Sequence, residues 1–445
     1  MKKQVLSALA FCSALGIAQA QTDVTKEYLV NPSFETLKAA DGTTDVAVKT
    51  KLESGLYGWD VAKLGANNSN YQVESEESGS STGFPADGSG KIKPTEGTYY
   101  YFNRQGWGNK DSELKTTTSK ELPAGTYYAV IDYKAADYSN NNNANNNGTT
   151  IGIKVNDAAS NLLGENPAVR RAYSIANNGS NPGNDAYMVN AAWNELGTMF
   201  TVTEPTTVTI SLVQNMRNNG RSDIAWDNLR LYQIENVSEN KPMDVSGLIT
   251  TSNYYALGGW NIEGGNTFEV NTWSTEGEKD GSGMTTPFIE DHVGKENKAA
   301  NATISHTVSH LIPGIYEVSG LIRVLNEAAG GDTPSGATLY ANEGSTNACN
   351  GNPCTNGVYG TYTVKGTVGT DGVLTFGIKV ANANFNWVSF KNFKLQYLGA
   401  ASIEQLQATL KEKIEEAKAY VENCPKGIAA IVNAAITQGN SAQAT

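Results

Sequence analysis

The sequence predicts an all-β protein of two tandem β-sandwich domains, followed by a short C-terminal α-helical hairpin. Gly (45 residues) far outnumbers Pro (13), and short alternating apolar runs follow turn signals, as in a sandwich or jelly roll. The strand ending AWDNLRLY (225–232) returns as SFKNFKLQY (389–397), which indicates two copies of one domain. Near the C-terminus the apolar spacing changes to that of helices. The expected segments are 21–236 for the first sandwich, 244–398 for the second and 401–445 for the helical tail.

Residues 1–20 are typical of a signal peptide. Lys2 and Lys3 precede an apolar stretch, and Ala18-Gln19-Ala20 fits the small-x-small pattern at which such a peptide is cut. We therefore expect an exported protein, whether periplasmic, cell-surface or extracellular. No later stretch approaches the ~20 apolar residues that a membrane span needs, so no span is expected.

The composition limits the partners of the protein. The formal net charge is −12 and 18% of the residues are charged, without the basic stripe that nucleic-acid binding requires. We therefore expect no nucleic-acid partner. Cys349 and Cys354 bracket the loop CNGNPC, where an oxidising compartment would favour a small disulfide, and a metal would need more ligands than this loop offers.

The two copies share landmarks in the same order. Each has a Gly-Trp pair (58–59 and 259–260), then a Pro-Gly-type turn that opens a long alternating run, and then the strand that contains Asn228 or Asn392. In the second copy, GTDG (369–372) predicts a hairpin between two such runs.

The repeated strand carries an irregularity in its alternation. Trp226 and Leu229 are three positions apart and would fall on opposite faces of a regular strand. A strand that keeps its apolar face buried must insert a residue between them, which predicts a β-bulge at 227–228. The bulge would turn Asp227 out of the ladder, where its carboxylate is free to take a hard cation.

Three short motifs carry a resemblance to a known family. NPSFE (31–35), the Gly-Trp pair at 58–59 and the closing strand IAWDNLRLY (224–232) resemble the galactose-binding-like jelly rolls found among carbohydrate-binding modules of exported bacterial polysaccharide-degrading proteins. The wider phrasing is similar to that of secreted proteins of gut Bacteroidota. The resemblance covers residues 28–235 well and 244–398 less well.

The resemblance implies a structural calcium ion in the first domain, because in this group such an ion often ties the opening segment to the last strand. Glu35 and Asp227 fall on the matching positions. Ca²⁺ takes roughly six to eight oxygen ligands, so two carboxylates plus loop carbonyls would suit it. Alternatively, both side chains only cap turns through hydrogen bonds. Lys391 stands at the position of Asp227 in the second copy, so no such site is expected there.

Sugar binding would rest on aromatic rings that stack on pyranose faces and on polar groups that fix hydroxyls. In the first copy Trp107, flanked by glycines, is the candidate platform, with Tyr101 and Arg104 beside it. Trp273 is the counterpart in the second copy. In the run YYYF (99–102), one of the two strand faces must belong to the core. Most aromatic residues of a sandwich are packing residues, and three tryptophans are assigned to the core: Trp59, Trp226 and Trp260.

Signals for catalysis are weak. GSSTG (79–83) fits Gly-x-Ser-x-Gly but has no strand before it or helix after it. His306 and His310 would lie about 13 Å apart along one strand, which is too far to share a zinc ion. The Glu-Asp-His run at 290–292 offers a general acid, although adjacent acids on a loop are common. We therefore expect no catalytic residues.

The tail predicts two helices. Leu406, Leu410 and Ile414 follow helical spacing, NCPKG (423–427) breaks it, and Ile428 begins a second apolar series. The pattern resembles the small helical bundles that follow binding modules in large surface glycan-processing proteins, but without a third helix. Either the chain is a fragment of something longer, or the tail docks on a partner such as an enzyme module.

Together these features predict an exported, non-catalytic carbohydrate-binding protein, or the accessory region of a polysaccharide-degrading system, whose partner is a polysaccharide or glycan. The alternative is a surface structural or adhesin protein with sandwich spacer domains, and the third reading is a glycoside-active enzyme. Exposed coplanar aromatics would favour binding, smooth polar faces the spacer, and convergent acids in a cleft the enzyme. Stacking faces do not distinguish sugars, so the glycan stays open.

Overall fold

The computed structural model describes most of the chain after the predicted signal peptide. The described residues are 21–63, 70–76, 92–105, 111–138, 150–156, 158–160, 187–188, 193–215, 221–249, 260–265, 268–271, 288–328, 333–348, 357–422 and 426–443. Residues 1–20, the GSSTG match (79–83) and the loop that contains Cys349 and Cys354 lie outside them.

The first sandwich is built from two antiparallel sheets. Its strands are β1 (Gln21–Asp23), β2 (Asp60–Lys63), β3 (Asn70–Ser75), β4 (Tyr99–Gln105), β5 (Asp111–Thr117), β6 (Gly125–Tyr138), β7 (Thr150–Val155), β8 (Ala158–Ser160), β9 (Tyr187–Met188), β10 (Asn194–Val202), β11 (Thr209–Asn215) and β12 (Arg221–Ile234). One sheet has the order β10-β6-β12-β4-β3 and the other β2-β5-β11-β7-β8, while β1 pairs with β12 and β9 with β6. A short helix, α1 (Thr25–Tyr28), follows β1.

The second sandwich has the same strand order. Its strands are β13 (Met243–Asp244), β14 (Trp260–Gly264), β15 (Glu269–Asn271), β16 (Phe288–His292), β17 (Ala302–Val308), β18 (Gly314–Leu325), β19 (Ala337–Ala341), β20 (Gly344–Asn347), β21 (Gly360–Val368), β22 (Leu374–Val380) and β23 (Trp387–Tyr397). Its sheets have the orders β21-β18-β23-β16-β15 and β14-β17-β22-β19-β20, and β13 pairs with β23 as β1 pairs with β12. Each strand on these paths therefore has a counterpart in the first sandwich.

The core of the first sandwich lies between its two sheets. Alternate residues of β6, namely Tyr127, Ala129 and Ile131, are buried in one cluster with Ile210 and Leu212 of the facing sheet. Period-two alternation puts every second residue of a strand on the same face, so one face of each sheet supplies the core. The fold prediction of an all-β sandwich architecture is confirmed. Trp59, Trp226 and Trp260 are buried, as predicted.

The predicted bulge in β12 is present. The register with β6 shifts between Asp227 and Arg230, and Asn228 has a φ of 55°, a left-handed conformation that Asn tolerates better than most residues. Trp226 and Leu229 consequently both reach the core. Asp227 itself stays in register opposite Asp132, so Asn228, and not Asp227, is the residue turned out of the ladder.

Three local predictions in the second copy are wrong. GTDG (369–372) joins β21 of one sheet to β22 of the other, so it is not a hairpin turn. The Glu-Asp-His run at 290–292 lies on β16 and not on a loop. The two histidines do not share one strand. His306 lies on β17 and is buried against Trp260, whereas His310 lies beyond the end of that strand with a φ of 60°.

Two helices occupy the tail, α2 (Ile403–Val421) and α3 (Lys426–Gln443). Ser402 caps α2, because its hydroxyl accepts from the Gln405 backbone N–H and the Gln405 side chain accepts from the Ser402 N–H. Ile414 and Ile436 are buried, whereas Ile403 and Ile431 are exposed. Within the described residues, no helix combines the length and the hydropathy that crossing a membrane requires.

Candidate functional site

The opening motif of the first sandwich folds into a turn with two left-handed residues. Asn31 has a φ of 55° and Phe34 a φ of 60°. The Asn31 carboxamide accepts a hydrogen bond from the Thr36 N–H at 2.7 Å and donates to the Tyr57 carbonyl at 3.0 Å. The Trp59 indole N–H donates to the Asn31 carbonyl at 2.8 Å. These bonds join NPSFE to the Gly-Trp motif.

The same turn is also joined to the closing strand. The Phe34 ring stacks on Trp59 with a centroid distance of 4.8 Å and lies 5.5 Å from the Tyr101 ring. The Leu229 N–H, directly after the bulge, donates to the Pro32 carbonyl at 3.1 Å. The three motifs of the family resemblance therefore form one connected unit.

Asp227 is a buried carboxylate with one unsatisfied oxygen. Its Oδ2 accepts from the Thr95 N–H at 2.7 Å, the Thr95 hydroxyl at 2.9 Å and the Glu96 N–H at 3.1 Å. Its Oδ1 has no hydrogen-bond partner among the described residues, and the residue is fully buried. Burial raises the pKa of Asp227 to about 7, against the opposing effect of the bonds from Glu96 and Thr95. An ionised Asp227 is therefore costly unless a positive charge reaches Oδ1.

Glu35 contacts the same loop, residues 95–99. Its Oε1 accepts from the Thr98 N–H at 2.9 Å and from the Tyr99 N–H at 2.8 Å. Gly97 has a φ of 66°, and a Cβ at this position would lie 2.3 Å from the Glu35 Cδ, so any other residue would be strained and would displace the Glu35 carboxylate. The structure thus brings Glu35 and Asp227 together on one loop, and both cap its backbone as the hydrogen-bonding alternative describes.

The structure describes two of the four candidate sugar-contact residues, and both lie on β4. Tyr101 is 1% exposed, belongs to the core cluster, and lines a cavity between the sheets with room for about one water molecule. This burial corrects its assignment as a sugar contact. Arg104 lies on β4, opposite Asp223 of β12, and nothing is described of its side chain. Trp107 and Trp273 lie outside the described residues.

Both faces of β4 are buried, not only the face that builds the core. Tyr100 and Phe102 form a second apolar cluster on the opposite face. The Tyr100 hydroxyl donates to Glu74, itself fully buried, at 2.8 Å, and the Trp193 ring lies edge-on to Tyr100 at 6.1 Å. Burial, followed by the nearby Glu74 carboxylate, raises the pKa of Tyr100. The sequence shows the aromatic run but gives no signal for Glu74 or Trp193.

Asn228 and Arg230 of the closing strand β12 bind acidic residues of nearby strands. Arg230 forms ion pairs with Asp132 and Glu195, each at 2.8 Å, and the Asn228 amide donates to Asp132 at 3.0 Å. The bulge residue and the residue after Leu229 are therefore bonded to the neighbouring strand β6. In the second copy Asn392 has a φ of 54°, so the left-handed Asn recurs at the matching position.

The second sandwich carries a polar cluster around a buried tryptophan. The Arg323 guanidinium carbon lies 4.3 Å from the Trp387 ring centroid, and the His292 ring centroid lies 4.4 Å from it. His292 Nε2 is 2.9 Å from Glu327 Oε2, which also accepts from the Asn386 amide at 2.7 Å. These bonds, from His292 first and then Asn386, lower the pKa of Glu327. The His of the 290–292 run is thus engaged in a cluster that joins β16, β18 and β23.

No protein-family model matches the sequence, and no curated protein matches it significantly. Similar solved structures include the CBM22-1-CBM22-2 tandem domain of Paenibacillus barcinonensis Xyn10C, with 10% identity, coverage of 86% of this chain and 99% of that chain, and a TM-score of 0.25. TmCBM61, solved with β-1,4-galactotriose, has 16% identity, coverage of 46% and 97%, and a TM-score of 0.26. A cyclase from Fischerella sp. has 15% identity, coverage of 49% and 99%, and a TM-score of 0.28. TM-scores of this size do not establish a shared function.

Proposed function

We propose that this protein is an exported, non-catalytic carbohydrate-binding protein that serves as an accessory region of a polysaccharide-degrading system. One observation carries the proposal: the three motifs of the family resemblance, far apart in sequence, are in contact. The Trp59–Asn31 and Leu229–Pro32 hydrogen bonds join them. This connected unit supports the proposal, whereas the sandwich fold by itself hosts many unrelated functions.

We further propose a structural Ca²⁺ in this unit. The residues fit a hard cation, because Asp227 Oδ1 is buried without a hydrogen-bond partner among the described residues. Glu35 and Asp227 would hold the ion. Within the described part of the chain, no group of three acidic, His or Cys residues is placed to hold a metal ion, so the other ligands would be carbonyl, hydroxyl or water oxygens. The ion would neutralise a buried carboxylate and fix the 95–99 loop to β12.

A binding role, as opposed to catalysis, is supported by the state of the acids that the sequence offered. Glu290 and Asp291 are buried on β16, at 1% and 0% exposure, and His292 is bonded to Glu327. A general acid must reach a substrate proton directly or through one water. Neither buried acid presents its carboxylate to solvent.

The test is a glycan array followed by affinity electrophoresis of the whole chain, with calcium and with a chelator. We expect retention on at least one polysaccharide and weaker retention in the chelator. Trp107→Ala and Trp273→Ala, run alongside, would assign the site to the first or the second sandwich. No retention on any glycan, from protein shown to be folded by circular dichroism, would contradict the proposal and favour the spacer or adhesin reading.

A further inference from the structure

Tyr57 is the one aromatic side chain of the first sandwich that is exposed within the described residues. It is 39% exposed, although both of its near neighbours in the chain, Leu56 and Trp59, are buried. Single exposed apolar residues are common on protein surfaces and need no explanation by themselves. The case for Tyr57 depends on how it is held and on what surrounds it.

The backbone of Tyr57 is fixed on both sides. Its N–H donates to the Lys38 carbonyl at 2.9 Å, and its carbonyl accepts from the Asn31 amide at 3.0 Å. One edge of its ring lies against Gly42, where a Cβ would stand 2.9 Å from both Cδ2 and Cε2. Gly42 also has a φ of 70°. The ring is therefore pre-positioned, which lowers the entropic cost of ordering it on a ligand.

Polar groups lie on the turn that Gly42 belongs to, and one of them, Lys38, is bonded through its carbonyl to the Tyr57 N–H. Lys38 forms an ion pair with Asp45 and donates to the Thr43 carbonyl. The Asp41 carboxylate accepts from the Thr43 and Thr44 N–H groups at 2.8 and 2.9 Å, which holds the turn in shape. Two carboxylates and one ammonium give this turn a net charge of −1, in a chain of net charge −12. Such a surface repels a uronate and tolerates a neutral sugar.

The repeat shows that the fold does not require tyrosine at this position. The first copy reads GLYGW (55–59) and the second ALGGW (256–260), so Gly258 stands where Tyr57 stands. The tryptophan that ends each motif is buried in both copies. Only the first copy has an aromatic side chain at this position, and the second sandwich forms without one.

We propose that Tyr57 is a stacking platform for a pyranose ring of a neutral glycan, with Lys38 and Asp45 bonding to its hydroxyls. An aromatic ring gives a sugar a flat apolar face, and charged groups at its rim fix the hydroxyl pattern. This inference rests on the proposed carbohydrate-binding function and names a contact residue for it. It places the contact at the loops beside the NPSFE turn of the first sandwich.

The experiment measures binding of the whole chain by affinity electrophoresis in gels that contain xyloglucan, galactan, mannan, xylan or polygalacturonate. Tyr57→Ala and Tyr57→Phe are compared with Tyr420→Ala, which removes another exposed tyrosine, 56% exposed, from the tail helix. We expect Tyr57→Ala to weaken binding to a neutral polysaccharide by about tenfold, the equivalent of one aromatic contact. Tyr57→Phe keeps the ring face and should keep most of the affinity, and Tyr420→Ala should bind as the wild type does.

The outcomes separate this inference from the function on which it rests. If the wild type is retained by a neutral polysaccharide and Tyr57→Ala is retained equally, the platform is refuted while the binding function stands. If polygalacturonate is the preferred ligand, the neutral-sugar part is refuted. If the folded wild type is retained by none of the five gels, the proposed function itself fails and the platform fails with it. Thermal unfolding of each variant tests whether the substitution leaves the fold intact.

Discussion

Replacement of Asp227 by Asn tests whether the buried carboxylate is neutralised by a proton or by a bound cation. Burial raises the pKa of Asp227 to about 7, from an ordinary value of 3.8. Well below pH 3.8 the carboxyl is protonated in both the folded and the unfolded chain. As the pH rises to 7, the unfolded chain releases the proton and the folded chain retains it, so stability falls over this window. At about 1.36 kcal/mol per pH unit, the loss is about 4 kcal/mol.

Asp227→Asn should remove this pH dependence in calcium-free buffer. The Asn oxygen can still accept the Thr95 and Glu96 bonds, and an amide carries no charge to bury. Urea unfolding at pH 5 and pH 8 should therefore show a smaller pH-dependent loss of stability in the variant than in the wild type. Calcium should stabilise the wild type at pH 8 and leave the variant nearly unchanged, because the ion needs the carboxylate.

The matched control is Glu204→Gln, which neutralises an exposed acid of the same sandwich. It should follow the wild type in both pH dependence and calcium response. If Asp227→Asn and the wild type lose the same stability between pH 5 and pH 8 without calcium, the Asp227 carboxyl is not the source of the pH dependence. The calcium proposal is refuted if calcium stabilises Asp227→Asn as much as the wild type.

Three further substitutions probe the same unit. Gly97→Ala places a methyl group 2.3 Å from Glu35 at a φ of 66°, and should lower the unfolding midpoint by the equivalent of about 1–3 kcal/mol and weaken the calcium response. Arg230→Met leaves the buried Asp132 without its ion pair and should cost about 3–5 kcal/mol in urea unfolding. Asn228→Ala forces alanine into the left-handed conformation and removes the side-chain bond to Asp132, so it should cost about 1–2 kcal/mol by the same measurement. No loss would mean that the strand alone fixes the bulge.

The bulge in β12 could be predicted from the sequence because strand alternation has a strict period of two. Trp226 and Leu229 cannot both reach the core of a regular strand, so an inserted residue follows from sterics alone. The identity of the displaced residue could not be predicted. Asn228 takes the left-handed conformation, and Asp227 stays in the ladder, because Asn adopts a positive φ more readily.

The alternation of β4 shows that two faces exist but not which one faces the core. The sequence predicts Tyr101 as a sugar contact, yet it packs on Phe34 between the sheets, and Tyr100 on the other face is buried as well. The partners of such residues come from distant segments. Glu74 and Trp193 cover Tyr100, and nothing local in the sequence links them to it. Candidate ligand residues on a sandwich are therefore harder to predict than its strands.

The ion pairs of Arg230 could not be predicted from the sequence, because their partners also come from distant segments. Asp132 lies 98 residues before it and Glu195 lies 35 residues before it, and only the strand order β10-β6-β12 brings the three together. GTDG (369–372) failed as a hairpin signal because turn chemistry is local, whereas the pairing of the strands that follow is decided by the packing of two sheets.

Retardation of the folded wild type in native gels that contain neutral polysaccharide tests whether this chain binds carbohydrate. With calcium present, we expect mobility that falls as the polysaccharide concentration rises, relative to a reference protein of similar charge. Mobility that stays unchanged across the whole panel, from protein with a cooperative unfolding transition, would contradict the claim.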